Sequence, residues 1–228
     1  MEDRSGLFLR QFSAPSSHNI DDDGAREGLF SWAANEGIQS WVSGLPFIVQ
    51  FLLILVFTDL AQYWIHRMFH SVPVLWRFHA VHHSAETMDR LAGSRLHLID
   101  IAVTRGLTYV PIYILGFSEM ALFAYVVFVS LQATFVHANV RFEFGALRWF
   151  LVTPQYHHWH HGAEQEAVDK NFAVHLPVLD WLFATYHLPK SRWPASYGIG
   201  NGVSVPKGIV RQAIFPFVPE ARRDRDIS

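Results

Sequence analysis

The chain has 228 residues, half of them apolar and only 17% charged, with a formal charge of -2 and a mean hydropathy of +0.14. Such a balance excludes a nucleic-acid binder, which needs a concentrated basic face, and is oily for a protein surrounded by water. With no cysteine there are no disulfides, thiolate metal sites or cysteine nucleophile, so any metal is held by nitrogen and oxygen.

Residues 1 to 40 are mixed and polar, with an acidic run at Asp21 to Asp23 and no apolar stretch long enough for a signal-peptide core. They predict a polar or interfacial leader. From Trp41 the run "WVSGLPFIVQFLLILVFTDLAQYWI" carries a single charge, Asp59. At ~1.5 Å per residue a helix of that length crosses the ~30 Å hydrocarbon layer of a bilayer. A second apolar region, Leu98 to Val140, is interrupted only by "GFSE" at Gly116 to Glu119. It predicts a hairpin of two spans, each satisfying its own backbone hydrogen bonds. From Leu147 onward, prolines at 154, 177, 189 and 194 cut the chain into short pieces. "GIGNG" at Gly198 to Gly202 has no preceding strand and reads as a loop rather than a phosphate cradle. The expected organisation is a leader over 1–40, a membrane-embedded domain over 41–200 and a polar tail over 201–228.

The charges orient this arrangement. No lysine or arginine falls between Gly106 and Val140, five arginines lie from Arg67 to Arg105, and ten of the 18 basic residues follow from Arg141. By the positive-inside tendency, the segments after Ile65 and after Val140 share the cytoplasmic side. The expected fold is all-α: an integral-membrane helical bundle with a cytoplasmic, histidine-lined helical cap, in a bacterial inner membrane or the endoplasmic reticulum. A soluble helical protein competes poorly, because three long, nearly uncharged runs are hard to bury in a chain this short.

Thirteen of the 14 histidines lie after Ile65, most of them in a repeated spacing. "HRMFH" sets His66 and His70 at i, i+4; "HAVHH" sets His79, His82 and His83 at i, i+3, i+4; "HHWHH" sets His157, His160 and His161 likewise. At about 100° per residue each triplet covers about a 100° arc of a helix. Imidazole suits iron, zinc, copper and nickel, and so many ring nitrogens near a membrane each need a hydrogen-bond partner or a metal. His158 falls at the edge of its arc and is expected to stand beside the site or free. His18, His97, His175 and His187 are expected to be structural. His137, alone in "TFVHANV" at the end of the last apolar run, is a plausible ninth ligand. Eight or nine histidines exceed what one ion takes, so two ions with four or five ligands each fit the count. Asp59, Tyr63, His66 and His70 form a stripe at i, i+4, i+7, i+11. An aspartate deep in an apolar run needs a partner, and Asp59 is expected to accept a hydrogen bond from the far nitrogen of a ligand histidine.

These motifs resemble the fatty acid hydroxylase and sterol desaturase superfamily of membrane oxygenases. "DLAQYWIHRMFH" is similar to its first histidine box, "WRFHAVHHS" to its second, the histidine of "FVHANV" to its isolated ligand, and "TPQYHHWHHG" to its third. "DKNFAVHLPVLDWLFATYHLP" resembles the segment that follows, with Asn171 and Asp180 at recurrent positions. The resemblance implies a centre of two iron ions, with zinc a common replacement on purification, using O2 as co-substrate on a lipid C–H bond. Hydroxylation and desaturation both stay open. Two departures stand out: three spans are found where the family commonly has four, so that either a first span is missing from this sequence or Trp32 to Trp41 lies in the interface, and the family's "FGT" reads "FAT", with Ala184 in place of glycine. No haem, flavin or dinucleotide motif is present, so electrons must come from a separate donor. The surface near Arg67, Arg77, Arg90 and Arg95 suits an acidic carrier or anionic lipid headgroups equally. A membrane zinc hydrolase is the alternative function, though no glutamate accompanies the histidines as in H-E-x-x-H. A bis-histidine haem protein would need fewer ligands, placed on facing spans.

Overall fold

Asn35 accepts a hydrogen bond from the Ile38 amide at 3.1 Å and so starts the first helix, α1 (Glu36–Ser43). This computed structural model describes residues 31–199 and 204–218; the acidic run, His18 and the two ends of the expected polar tail lie outside them. Pro46 then precedes the long α2 (Phe47–Ser71), and Pro73 opens α3 (Pro73–His83) as its first residue, where its missing N–H is harmless. The apolar hairpin follows as α4 (Leu98–Ile114) and α5 (Glu119–Val136). Short helices complete the chain: α6 (Pro154–His160), α7 (Val178–Leu182) and α8 (Ile209–Ile214). No β-strand occurs among the described residues, only a single bridge between Gly162 and Tyr197.

α2 packs against α3, α4 and α5, and α5 against α6. Ile54 and Leu55 of α2 meet Ile112, Ala121, Tyr125 and Val129 of the hairpin in one buried cluster. At the hairpin tip Gly116 takes φ +76°, and a Cβ there would fall 2.7 Å from the Gln39 side chain, so α1 closes onto a residue that only glycine suits. Gln39 donates to the Ile114 carbonyl at 3.0 Å, and Gln50 accepts from the Ser118 amide at 2.8 Å. These contacts fix one end of the bundle. α2 leaves that end and α5 returns from it, so the last turns of α2, the start of α4 and the end of α5 meet at the other end, where the histidines are.

Among the described residues α2 and α5 are the two helices long and apolar enough to cross a membrane, and only 39% and 28% of their most apolar windows is buried. A core helix of a water-soluble protein would be mostly covered. Here Phe57, Phe123 and Leu131 face outward instead.

The chain after α5 is held by buried carboxylates. Asp180 accepts from the Phe172 and Ala173 amides at 2.8 and 2.7 Å, from the Thr185 hydroxyl at 2.6 Å, and from the Tyr156 hydroxyl. Asp59 accepts from the Val174, His175 and Leu176 amides at 2.7 to 2.9 Å. α7 ends in a Schellman turn: the Thr185 amide reaches the Asp180 carbonyl and the Ala184 amide the Trp181 carbonyl, with Ala184 at φ +57°. A left-handed alanine is strained by about 1–2 kcal/mol. Ala184→Gly is therefore expected to stabilise the protein by about 1 kcal/mol net of glycine's greater chain entropy. A higher melting temperature in detergent is the expected reading; an unchanged or lower one would contradict the strain.

Candidate metal centre

The last turns of α2 bring His66 and His70 one above the other, and α3 ends on His79, His82 and His83. His137 is the C-cap of α5, and α6 carries His157 and His160 with His161 as its own C-cap. All nine gather into two groups. Nitrogens of His66, His70, His79, His83 and His160 lie within 4.8 Å of one another, as do those of His82, His137, His157 and His161. The groups share a wall, with the His83 and His161 rings stacked at 4.4 Å.

Each H-x-x-H-H triplet is split between the groups, and the two splits are reciprocal. From His79 at 0°, His83 stands at about 40° and His82 at about 300°; the first two enter the five-histidine group and the third the other. From His157 at 0°, His161 at about 40° joins it in the four-histidine group, while His160 at about 300° crosses to the first. Two short helices facing each other thus furnish both groups from one motif.

Four of the nine outer nitrogens are committed to carbonyls or a carboxylate. His66 Nδ1–H donates to the Phe172 carbonyl at 2.9 Å, His79 Nδ1–H to Asp100 at 2.7 Å, His160 Nδ1–H to the Lys170 carbonyl at 2.8 Å, and His137 Nδ1–H to the Ala133 carbonyl at 2.7 Å. Each bond fixes a tautomer whose Nε2 carries a bare lone pair pointing inward. His66, His79 and His160 Nε2 are buried and have no hydrogen-bond partner. Burial, reinforced by neighbouring imidazoles, holds His79, His82, His83, His157, His160 and His161 well below the ordinary histidine range, so these rings are neutral near pH 7 and their lone pairs are available.

This donor set fits two ions. Two ligands at ~2.1 Å from an ion stand ~3.0 Å apart when adjacent and ~4.2 Å when opposite. The Nε2 atoms of His70 and His83 are 3.2 Å apart, those of His137 and His157 2.9 Å, and those of His157 and His161 3.1 Å. A cavity of about 340 Å³ lined by Trp76, Gly162, Val168 and Asp169 opens onto His70, His83 and His160.

The remaining expectations fall as follows. His158 faces away from both groups, bonding Tyr197 Oη at 2.9 Å and the Ala138 carbonyl at 3.2 Å. Trp159 is buried in protein, its Nε1–H donating to the Arg192 carbonyl at 3.2 Å. His97 caps α4, and His175 lies between Tyr125 and Gln132. Asp59 does not touch a ligand ring. Its two oxygens are taken by the three backbone amides of Val174 to Leu176, so the orienting role expected of it is corrected: it anchors a loop. The carboxylates beside ligand rings are Asp100 on His79 and the exposed Asp169, 3.4 Å from His70 Nδ1. Sequence reading missed both. Asp100, acidic in "HLIDIAV", carried the same signal that drew attention to Asp59.

The chain is similar to known proteins. The sequence model described as "Fatty acid hydroxylase" matches residues 51–185, which include all nine histidines. The ornithine lipid hydroxylase OlsE of Rhizobium tropici is 32% identical over 185 residues, covering 81% of this chain and 55% of that protein. The alkylglycerol monooxygenase of Homo sapiens is 30% identical over 147 residues, 64% of this chain and 32% of that one. A very-long-chain aldehyde decarbonylase of rice, GL1-10, is 23% identical over 138 residues, 60% of this chain and 46% of that one. The chain therefore spans about half the length of the first relative and a third of the second. No solved structure matches it significantly. With the family match running from the first histidine group through the Asp180 anchor, the chain belongs to the fatty acid hydroxylase family.

Proposed function

We propose that this chain is a membrane-bound, oxygen-dependent hydroxylase or desaturase that acts on a C–H bond of a lipid, with two iron ions held by the nine histidines. The observation that carries the reading is the pair of inward-facing imidazole groups, five and four, at the foot of outward-facing apolar helices. The relatives' names, two lipid hydroxylating enzymes among them, support the lipid. In this reading α2, α4 and α5 lie in the bilayer and the histidine end faces the cytoplasm, in keeping with the arginine distribution. Bound iron would supply the oxygen activation that an unactivated C–H bond requires.

The protein's own groups do the rest. Carbonyls of Phe172, Lys170 and Ala133 and the carboxylate of Asp100 hold four rings in the tautomer that presents Nε2. The five-histidine group opens through the cavity lined by Asp169 and Trp76. Electrons come from a separate donor protein. A zinc hydrolase draws no support from the relatives, and neither group contains a carboxylate ligand.

The test is metal analysis of protein from iron-replete cells together with incubation of its membranes under 18O2. About two irons per chain, with label in extracted lipid or an O2-dependent alkene, is expected; O2-independent turnover by a zinc form would overturn the reading. Outer partners of a metal site are typically worth ~10- to 100-fold in affinity. Asp100→Asn is expected to speed iron extraction by a chelator about that much, and Asp169→Asn, whose contact is longer and exposed, by under about tenfold. Equal extraction rates in both variants and the parent would show that neither carboxylate holds its ring.

A further inference from the structure

A cavity of about 690 Å³ lies apart from the metal centre. Val81 forms its floor and stands at about 200° from His79 on α3, so the cavity lies behind the helix that carries His79, His82 and His83. Its other walls come from the start of α4 and from α8, with Leu96, Leu98, Ile209 and Ala213 among them. The volume is that of a small-molecule site.

The lining is amphipathic and its charge one-sided. Arg95 and Lys207 both line it against a single acid among the described residues, Glu86. Neither cation makes an ion pair among the described residues; the one polar contact of the Arg95 guanidinium is the Ser84 hydroxyl, 2.8 Å away. Apolar side chains rim the mouth. Leu98, the first residue of α4, is 76% exposed, and on α8 Ile209 and Val210 are 85% and 71% exposed. Of the other three arginines expected to suit a carrier, Arg67 lies over the Trp64 ring and Arg77 bonds the Val218 carbonyl, while Arg90 is exposed outside this cavity.

Two cations inside, hydrocarbon at the rim and the foot of an apolar helix alongside match one ligand class. We infer that this cavity binds the anionic headgroup of a membrane phospholipid, with its phosphate between Arg95 and Lys207 and its chains over Leu98 and Ile209. The lipid is a resident one and not the substrate, since α3 separates it from the histidines. The inference rests on the membrane reading above, and it is independent of which reaction the metals perform.

Native mass spectrometry of the full chain, released from nanodiscs of equal phosphatidylglycerol and phosphatidylcholine, tests it. One phosphatidylglycerol per chain should be retained in preference to phosphatidylcholine. Lys207→Gln should weaken retention about fivefold, the effect of about one basic contact with an anionic surface, and the double variant with Arg95→Gln further. Lys207→Gln should keep the parent's iron content and melting temperature, which separates binding from folding. Equal retention of the two lipids, undiminished retention in Lys207→Gln, or displacement by millimolar inorganic phosphate would each overturn the inference, the last by showing a site for free anions. Phosphatidylglycerol binding in a protein that oxidises no lipid would leave the cavity's role intact and refute the enzymatic reading alone.

Discussion

His160→Ala is expected to lower iron from about two to about one per chain and to reduce turnover more than about 100-fold, because even outer partners of a metal site are worth ~10- to 100-fold. His160 is the one ligand that α6 contributes to the five-histidine group. Its loss removes a neutral Nε2 donor that the Lys170 carbonyl had already oriented, and leaves the four-histidine group its own full set. His157→Ala should do the reverse, emptying the four-histidine group first. The comparison that isolates coordination is His158→Ala. His158 sits on the same helix, is as deeply buried, and bonds only Tyr197 and the Ala138 carbonyl. It should retain two irons while losing some stability. Iron analysis with Mössbauer spectroscopy on the three variants decides the matter: full iron in His160→Ala, or iron loss in His158→Ala equal to it, would refute the assignment.

Asp180→Ala should have the largest effect on folding. The carboxylate is fully buried and gathers two amides and two hydroxyls from three separate stretches of chain. Deleting it strands those donors away from water, at about 1–3 kcal/mol for each that finds no new partner, so a loss of about 3–5 kcal/mol is expected. The same change frees Phe172, whose carbonyl orients His66, so iron retention should fall with stability even though Asp180 touches no ligand. Thermal unfolding in detergent, with iron analysis of the folded fraction, reads both. A variant that melts like the parent would show that solvent or other side chains replace the carboxylate, and would remove Asp180 from the support of the site.

The histidine ligand candidates were legible because helical spacing is local. Two residues four apart on a helix stand on one face whatever surrounds them, so "HRMFH", "HAVHH" and "HHWHH" announced convergent rings before any fold was known. Hydrocarbon runs announced α2 and the α4–α5 hairpin by the same local logic, with Gly116 at the turn. Asp59 shows where that logic stops. Its stripe with Tyr63, His66 and His70 is real, but which donors reach a carboxylate depends on chain returning from far along the sequence. Here that chain is Val174 to Leu176, more than a hundred residues away.

By itself, then, the sequence determined the helical class, the absence of thiolate chemistry, the nine candidate ligands and the expectation of more than one ion, since each follows from residue type, count or spacing within a turn or two. Only the tertiary structure decided how the rings divide. That His82 leaves His79 and His83 to join His137, and that His160 crosses the other way, depends on the facing of α3 and α6. The carbonyls and carboxylates that set each tautomer are likewise chosen by which loops pack behind the rings, and no local period encodes that packing.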